Sequence, residues 1–211
     1  MAHAHKHSHS HNKRQLWYEW LVLFVALPLL AWWWSPMRMP LLIGVALYCL
    51  WMARRKGIRR RRRFIPPTFK FWLAIRMVLV SLGIFAFSYW YDPTRFMDLP
   101  RQDMAMWLLF CLLYPLLSAL PQEFIFRRYY FQRYRPLFRR VNTLLVSSVL
   151  TFGLVHLVYE NWLAVALSLG GGTLFAFTYA HSGRLSWVTT EHALYGLAVF
   201  SSGLGSYFYT A

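Results

Sequence analysis

Acidic residues are scarce in this sequence, with seven Asp and Glu against 23 Lys and Arg among 211 residues. Charged residues of either sign make up only 14% of the chain, against about a quarter in soluble domains, so a soluble enzyme is excluded. Cysteine is nearly absent: Cys49 and Cys111 each fall inside an apolar stretch, where a thiol behaves as a small hydrophobe. That excludes a disulfide framework and a CxxC metal site. There is no repeat of fixed period and no Ser-His-Asp pattern. The first apolar run is too long for a cleavable signal and lacks a small-residue cleavage site after it.

What is there is apolar: 58% hydrophobic and 19% aromatic residues. At ~20 apolar residues per membrane span, the length accommodates about seven helices. The runs predict spans over roughly Trp17 to Trp34, Met37 to Ala53, Phe69 to Tyr91, Met104 through Leu120 toward Phe131, Val141 to Val158, Trp162 to Ala180 and Leu185 to Tyr207. Trp17, Trp20, Trp51, Trp72, Trp90, Trp162 and Trp187 mark their ends, as rings at headgroup level do. The expected fold is therefore all-α, a polytopic membrane helix bundle.

The net charge of +16 would suggest nucleic acid if it covered a folded polar surface. Instead the basic residues collect in blocks between apolar runs, so no nucleic-acid partner is expected. With the amino terminus cytoplasmic, 19 of the 23 Lys and Arg lie on the cytoplasmic side. They are Lys6, Lys13 and Arg14, nine residues between Arg54 and Lys70, six between Arg127 and Arg140, and Arg184. Arg38, Arg95 and Arg101 fall on the other side and Arg76 within a span. The block from Arg59 to Arg63 suits anionic lipid headgroups. Residues 1–15 hold five of the eight histidines before any apolar run; they read as a disordered arm or appended tag, or as a loose binder of divalent metal. Residues 16–103 then form amino-terminal transmembrane helices and 104–211 a carboxyl-terminal bundle.

Ionisable groups inside spans are costly, so each is a functional candidate. They are Arg76, Glu123, His156, Glu191 and His192, with Gln122 beside Glu123 and Arg127 toward the cytoplasmic end of the fourth span. Glu19, near a span end, can reach headgroups, and Arg76 can snorkel. Carboxylates and imidazoles on the fourth, fifth and seventh spans can activate water: the carboxylate takes a proton, and an imidazole orients the nucleophile or protonates the leaving amine. The set of His156, His192 and Glu123 could instead hold a divalent metal such as zinc. Glu123 and Arg127, spaced i, i+4, also suit a helical ion pair. Counted at 1.5 Å per residue from the basic loops, Glu123 lies ~15 Å deep, His192 ~12 Å and His156 ~24 Å.

At these residues the chain resembles the CPBP family of intramembrane proteases, which includes the type II CAAX prenyl endopeptidases. The family's EExxxR motif falls on Gln122 to Arg127, its FxxxH motif on Phe152 to His156, and its HxxxN or HxxxD motif on His192 to Gly196. The resemblance covers roughly residues 104–207, which makes the carboxyl-terminal region a CPBP-like catalytic bundle. It implies an intramembrane endopeptidase with Glu123, His156 and His192 catalytic and with Gln122, Arg127, Phe152 and Glu191 supporting. The implied substrate is a membrane-embedded or lipidated peptide or protein, cut near the cytoplasmic leaflet by glutamate- and histidine-activated water, in a bacterial inner membrane. Two positions depart from the family pattern. Gln122 stands where the family has its proton-accepting glutamate, and an amide cannot take that proton; Gly196 stands where the family has Asn or Asp. Glu191 offers a substitute carboxylate. The alternative reading is a membrane scaffold or chaperone that keeps the fold and binds a transmembrane partner without cutting it.

Overall fold

A computed structural model describes residues 13–59 and 63–208. The histidines of the amino-terminal arm and Arg60 to Arg62 lie outside the described residues. Six helices are long and apolar enough to cross a membrane: α1 (Lys13–Trp33), α2 (Ser35–Arg55), α3 (Pro67–Tyr91), α4 (Met104–Arg133), α5 (Val141–Tyr159) and α6 (Trp162–Ser182). Helix α1 begins at Lys13, inside the stretch assigned to the arm. A seventh helix, α7 (Leu185–Ser202), has the length but carries Glu191, His192 and several hydroxyl residues, which lower its hydropathy. It tolerates them because it packs along α3 and α6 with nine residues buried, and so faces protein more than lipid. Among the described residues there is no strand. The protein is an integral membrane protein built as an all-α polytopic bundle.

Successive helices run antiparallel, which gives the bundle two chemically different ends. At the basic end, Arg63 donates from Nη1 to the Ala180 carbonyl at 2.6 Å, on the last turn of α6. There a cation also complements the helix dipole. Gln132 donates to the Arg59 carbonyl at 3.0 Å. Glu19 of α1 is clamped by Arg133 of α4, whose Nη2 lies 2.5 Å from Oε2, and by the hydroxyls of Tyr129 at 2.6 Å and Tyr134 at 3.0 Å. Glu19 therefore does not reach toward headgroups; it joins α1 to α4 in a charge-assisted network. At the opposite end, Arg38 donates to the Val158 carbonyl at 2.7 Å, and the Met97 amide donates to the Ser202 carbonyl at 3.0 Å. A short helix, Asp98–Gln102, follows Met97 there.

Helix α4 positions most of the site, and its backbone is irregular for identifiable reasons. Pro115 and Pro121 each lack an N–H, and a proline ring crowds the carbonyl four residues earlier. The helix widens into π-turns at Pro115–Ala119 and again at Phe124–Tyr129, with one α-turn, Leu120–Glu123, between them. Such π-turns redirect side chains locally and recur at functional sites. Gln122 and Glu123, adjacent on the α-turn between the two π-turns, are aimed at different surroundings.

Candidate active site

Glu123 is fully buried and faces α7, where its Oε1 lies 2.8 Å from His192 Nδ1. Its Oε2 lies 3.3 Å from the Nε of Arg127, four residues on, an ion pair whose angles fall outside hydrogen-bond geometry. Arg127, also fully buried, is otherwise satisfied by the Ser148 hydroxyl at 2.9 Å, the Gly172 carbonyl at 3.1 Å and the Phe126 carbonyl at 3.3 Å. Gly172 makes room for Phe152: a Cβ there would stand 2.9 Å from the Phe152 ring. The i, i+4 pairing expected for Glu123 and Arg127 is present, and the carboxylate serves His192 at the same time.

Phe152 organises the two imidazoles. Its ring centroid lies 4.7 Å from that of His156 and 5.8 Å, edge on, from that of His192, while the Arg127 guanidinium sits 5.1 Å over the same ring. His192 is also stacked on Phe175 at 4.5 Å. His156 Nδ1 lies 2.7 Å from the Phe152 carbonyl. A carbonyl only accepts, so Nδ1 carries the proton and Nε2 is the remaining nitrogen. His156, His192 and Gln122 together line a cavity of about 550 Å³. The ~12 Å difference in depth between the histidines, counted along ideal helices, does not prevent this. Helix α5 gives way to a 3-10 turn over His156–Tyr159, and the cavity is tall enough to reach both rings.

Gln122 donates from Nε2 to the Ser118 hydroxyl at 2.8 Å, and both residues line the cavity. Glu123 does not line it: the carboxylate stands behind His192. The other departure from the family pattern also has a structural counterpart. A side chain at Gly196 would overlap the ring and hydroxyl of Tyr114, which occupies that part of the cavity wall and stands edge on to His192 at 6.2 Å. Nothing in the sequence pattern singles out Tyr114; only the contact between α4 and α7 does so.

Glu191 is held by a different set of partners. Its Oε1 lies 2.5 Å from Arg76 Nη2 and 3.0 Å from the Tyr195 hydroxyl, and its Oε2 accepts from Thr178 at 2.6 Å. Both oxygens are occupied and the residue is fully buried, so Glu191 ties α7 to α3 and α6. Arg76 is held by that pair and does not extend toward headgroups. A zinc set of His156, His192 and Glu123 does not fit the donors as placed. No group of three His, Cys, Asp or Glu with metal-binding geometry occurs among the described residues, and Glu123 already accepts from the ring of His192.

The side chains around the cavity differ between the two ends of the bundle. Tyr129, Tyr130 and Tyr134 are fully buried at the basic end, where the Glu19 network also lies, and they fill the space that residue counting left open. The cavity walls instead run from Gln122 and Phe175 to Tyr159, Phe200 and Phe208 at the other end.

Residues 104–198 match the sequence model of the Type II CAAX prenyl endopeptidase Rce1-like family. No curated protein and no solved structure matches the chain. The matched segment holds the three motif positions and every residue of the Glu123, His156 and His192 cluster, and over that segment the chain is similar to the CAAX protease family.

Proposed function

We propose that this protein is an intramembrane endopeptidase that hydrolyses a peptide bond of a membrane-embedded or lipidated polypeptide, with His192 and Glu123 acting together on water. The observation that carries the reading is the 2.8 Å contact between Glu123 and His192, directly behind a cavity that His156 and Gln122 also line. An ionised carboxylate only accepts, so Nδ1 of His192 donates to it and Nε2 is the basic nitrogen left for the cavity. Water hydrogen-bonded to Nε2 gives up a proton as its oxygen attacks the scissile carbonyl, and Glu123 stabilises the imidazolium that forms. His192 then returns the proton to the departing amine. His156, with Nδ1 donating to the Phe152 carbonyl, offers Nε2 as an acceptor that fixes the water's second hydrogen. The Gln122 amide and the Tyr114 hydroxyl stand on the same wall as donors for the developing oxyanion.

In this scheme the amide at Gln122 is no obstacle, because the proton goes to an imidazole. Arg127 and Phe152 hold Glu123 and the two rings in place. Gln122 also motivates the second reading, a scaffold that retains the cavity to bind a transmembrane partner. The two readings separate on the ends of membrane proteins in cells carrying native or His192→Ala protein. New termini that appear only with the native protein support hydrolysis. Indistinguishable termini, with both proteins present in the membrane at equal level, support the scaffold.

A further inference from the structure

Among the described residues two cavities touch the proposed site, and both extend from it toward the same end of the bundle. The larger one extends from Gln122 and His192 to Tyr159, Phe200 and Phe208. The second, about 140 Å³, lies between α1, α2, α4 and α5 and also touches Gln122 and His156. Its far wall includes Ala31, Arg38 and Val158, which sit where α1 ends, α2 begins and α5 ends. These are the ends that carry few basic residues. Toward the other end the described side chains are packed. Arg127, Tyr129, Tyr130 and Tyr134 are fully buried, and Arg133 with the two tyrosine hydroxyls closes over Glu19. His192 is only seven residues, ~10 Å, from the start of α7, yet that short path is occupied by packed side chains such as Val188, which is fully buried.

From this asymmetry we infer that water and substrate enter the site from the basic-poor end of the bundle. Since Lys and Arg are retained on the cytoplasmic side, that end is the extracytoplasmic one. The inference deepens the reading above and rests on it for the word substrate. The bond cut lies in the outer half of the membrane or just outside it, in a polypeptide anchored in the membrane or delivered to its outer leaflet. A cytosolic tail is not presented to this cavity. Arg38 adds a consistent feature: it lines the second cavity at that end, 5.5 Å over the Tyr159 ring, and supplies positive charge where an emerging chain would pass.

The test uses thiol accessibility in the full-length protein, with Cys49 and Cys111 replaced by Ser. Ser118→Cys places a thiol beside Gln122 on the wall shared by both cavities, and Gly57→Cys places one in the basic loop after α2. A membrane-impermeant maleimide is added to intact cells and, separately, to inverted membrane vesicles. The inference predicts that Ser118→Cys reacts at least ~10-fold faster in intact cells, while Gly57→Cys reacts only in inverted vesicles. Ala166→Cys, on the wall of the larger cavity nearer its mouth, repeats the measurement if the first variant does not accumulate. Reaction of the cavity thiol in inverted vesicles, or from neither side, overturns the inference. Labelling needs no turnover, so a protein labelled from outside that cuts nothing would refute the peptidase reading and leave the access route standing.

Discussion

Glu123→Gln separates the two jobs of one carboxylate. The native side chain is fully buried, accepts from His192 at 2.8 Å and lies 3.3 Å from the Arg127 guanidinium, itself fully buried. The amide still hydrogen-bonds His192 but leaves Arg127 as an uncompensated buried cation. Breaking a buried pair from one side costs about 3–5 kcal/mol. For a chain of this length that is a fall of about 6–20 °C in the thermal midpoint. Adding Arg127→Met removes the stranded charge and should restore at least half of that loss. The restoration is partial because the Gly172 carbonyl and the Ser148 hydroxyl also lose a donor. Activity should not return with stability. Without the carboxylate, the imidazolium at His192 is unsupported, and cleavage should stay reduced by roughly 10²–10⁴-fold, the range for loss of acid-base function. The assays are thermal unfolding of the detergent-solubilised protein and cleavage in reconstituted vesicles. A single variant as stable as native, or a double variant that regains both stability and cleavage, would refute the assignment of Glu123 to both partners.

Three further outcomes follow from the same geometry. Gln122→Ala should lower cleavage by about 10²-fold, because the residue supplies one of two oxyanion donors and does not carry the proton; a complete loss in a folded protein would return the base to this position. Arg76→Met should destabilise by about 3–5 kcal/mol, since Glu191 is fully buried and loses its cation. Glu191→Gln in the same background should recover stability and retain cleavage, and loss of cleavage there would make Glu191 the working carboxylate. Gly196→Ala should cost about 1–3 kcal/mol, as an added methyl must displace the Tyr114 ring. Tyr114→Ala should relieve that penalty in the double variant, measured by the same unfolding assay.

The spans were legible because membrane helices announce themselves by length and hydropathy. The seventh helix shows where that signal weakens: its apolar run predicted a span, but α7 is packed within protein, carries Glu191 and His192, and is less apolar than the other six. Motif spacing located Gln122, Glu123, His156 and His192, yet it did not give their directions. Gln122 and Glu123 share one α-turn and diverge by the ~100° between successive helical residues, but which of them faces the cavity is set by how α4 packs against α7. Long-range partners were invisible for the same reason. Glu19 looked free to reach headgroups because Arg133 and the two tyrosines that hold it are more than a hundred residues away. Arg76 looked like an anchor because Glu191 belongs to another helix. Depth counted from basic residues placed His192 near the basic loops, but it could not register the buried tyrosines packed at that end.

Hydrolysis by the purified chain is the claim on which the rest depends. Native, His192→Ala and His156→Ala proteins, reconstituted separately into lipid vesicles, would be given the membrane polypeptide that accumulates uncut in His192→Ala cells. The account predicts one defined cleavage by the native protein, with each histidine variant slower by at least ~10²-fold and equally well folded. Equal cleavage by all three proteins, or tight binding of the uncut polypeptide by the native protein without any product, would contradict it.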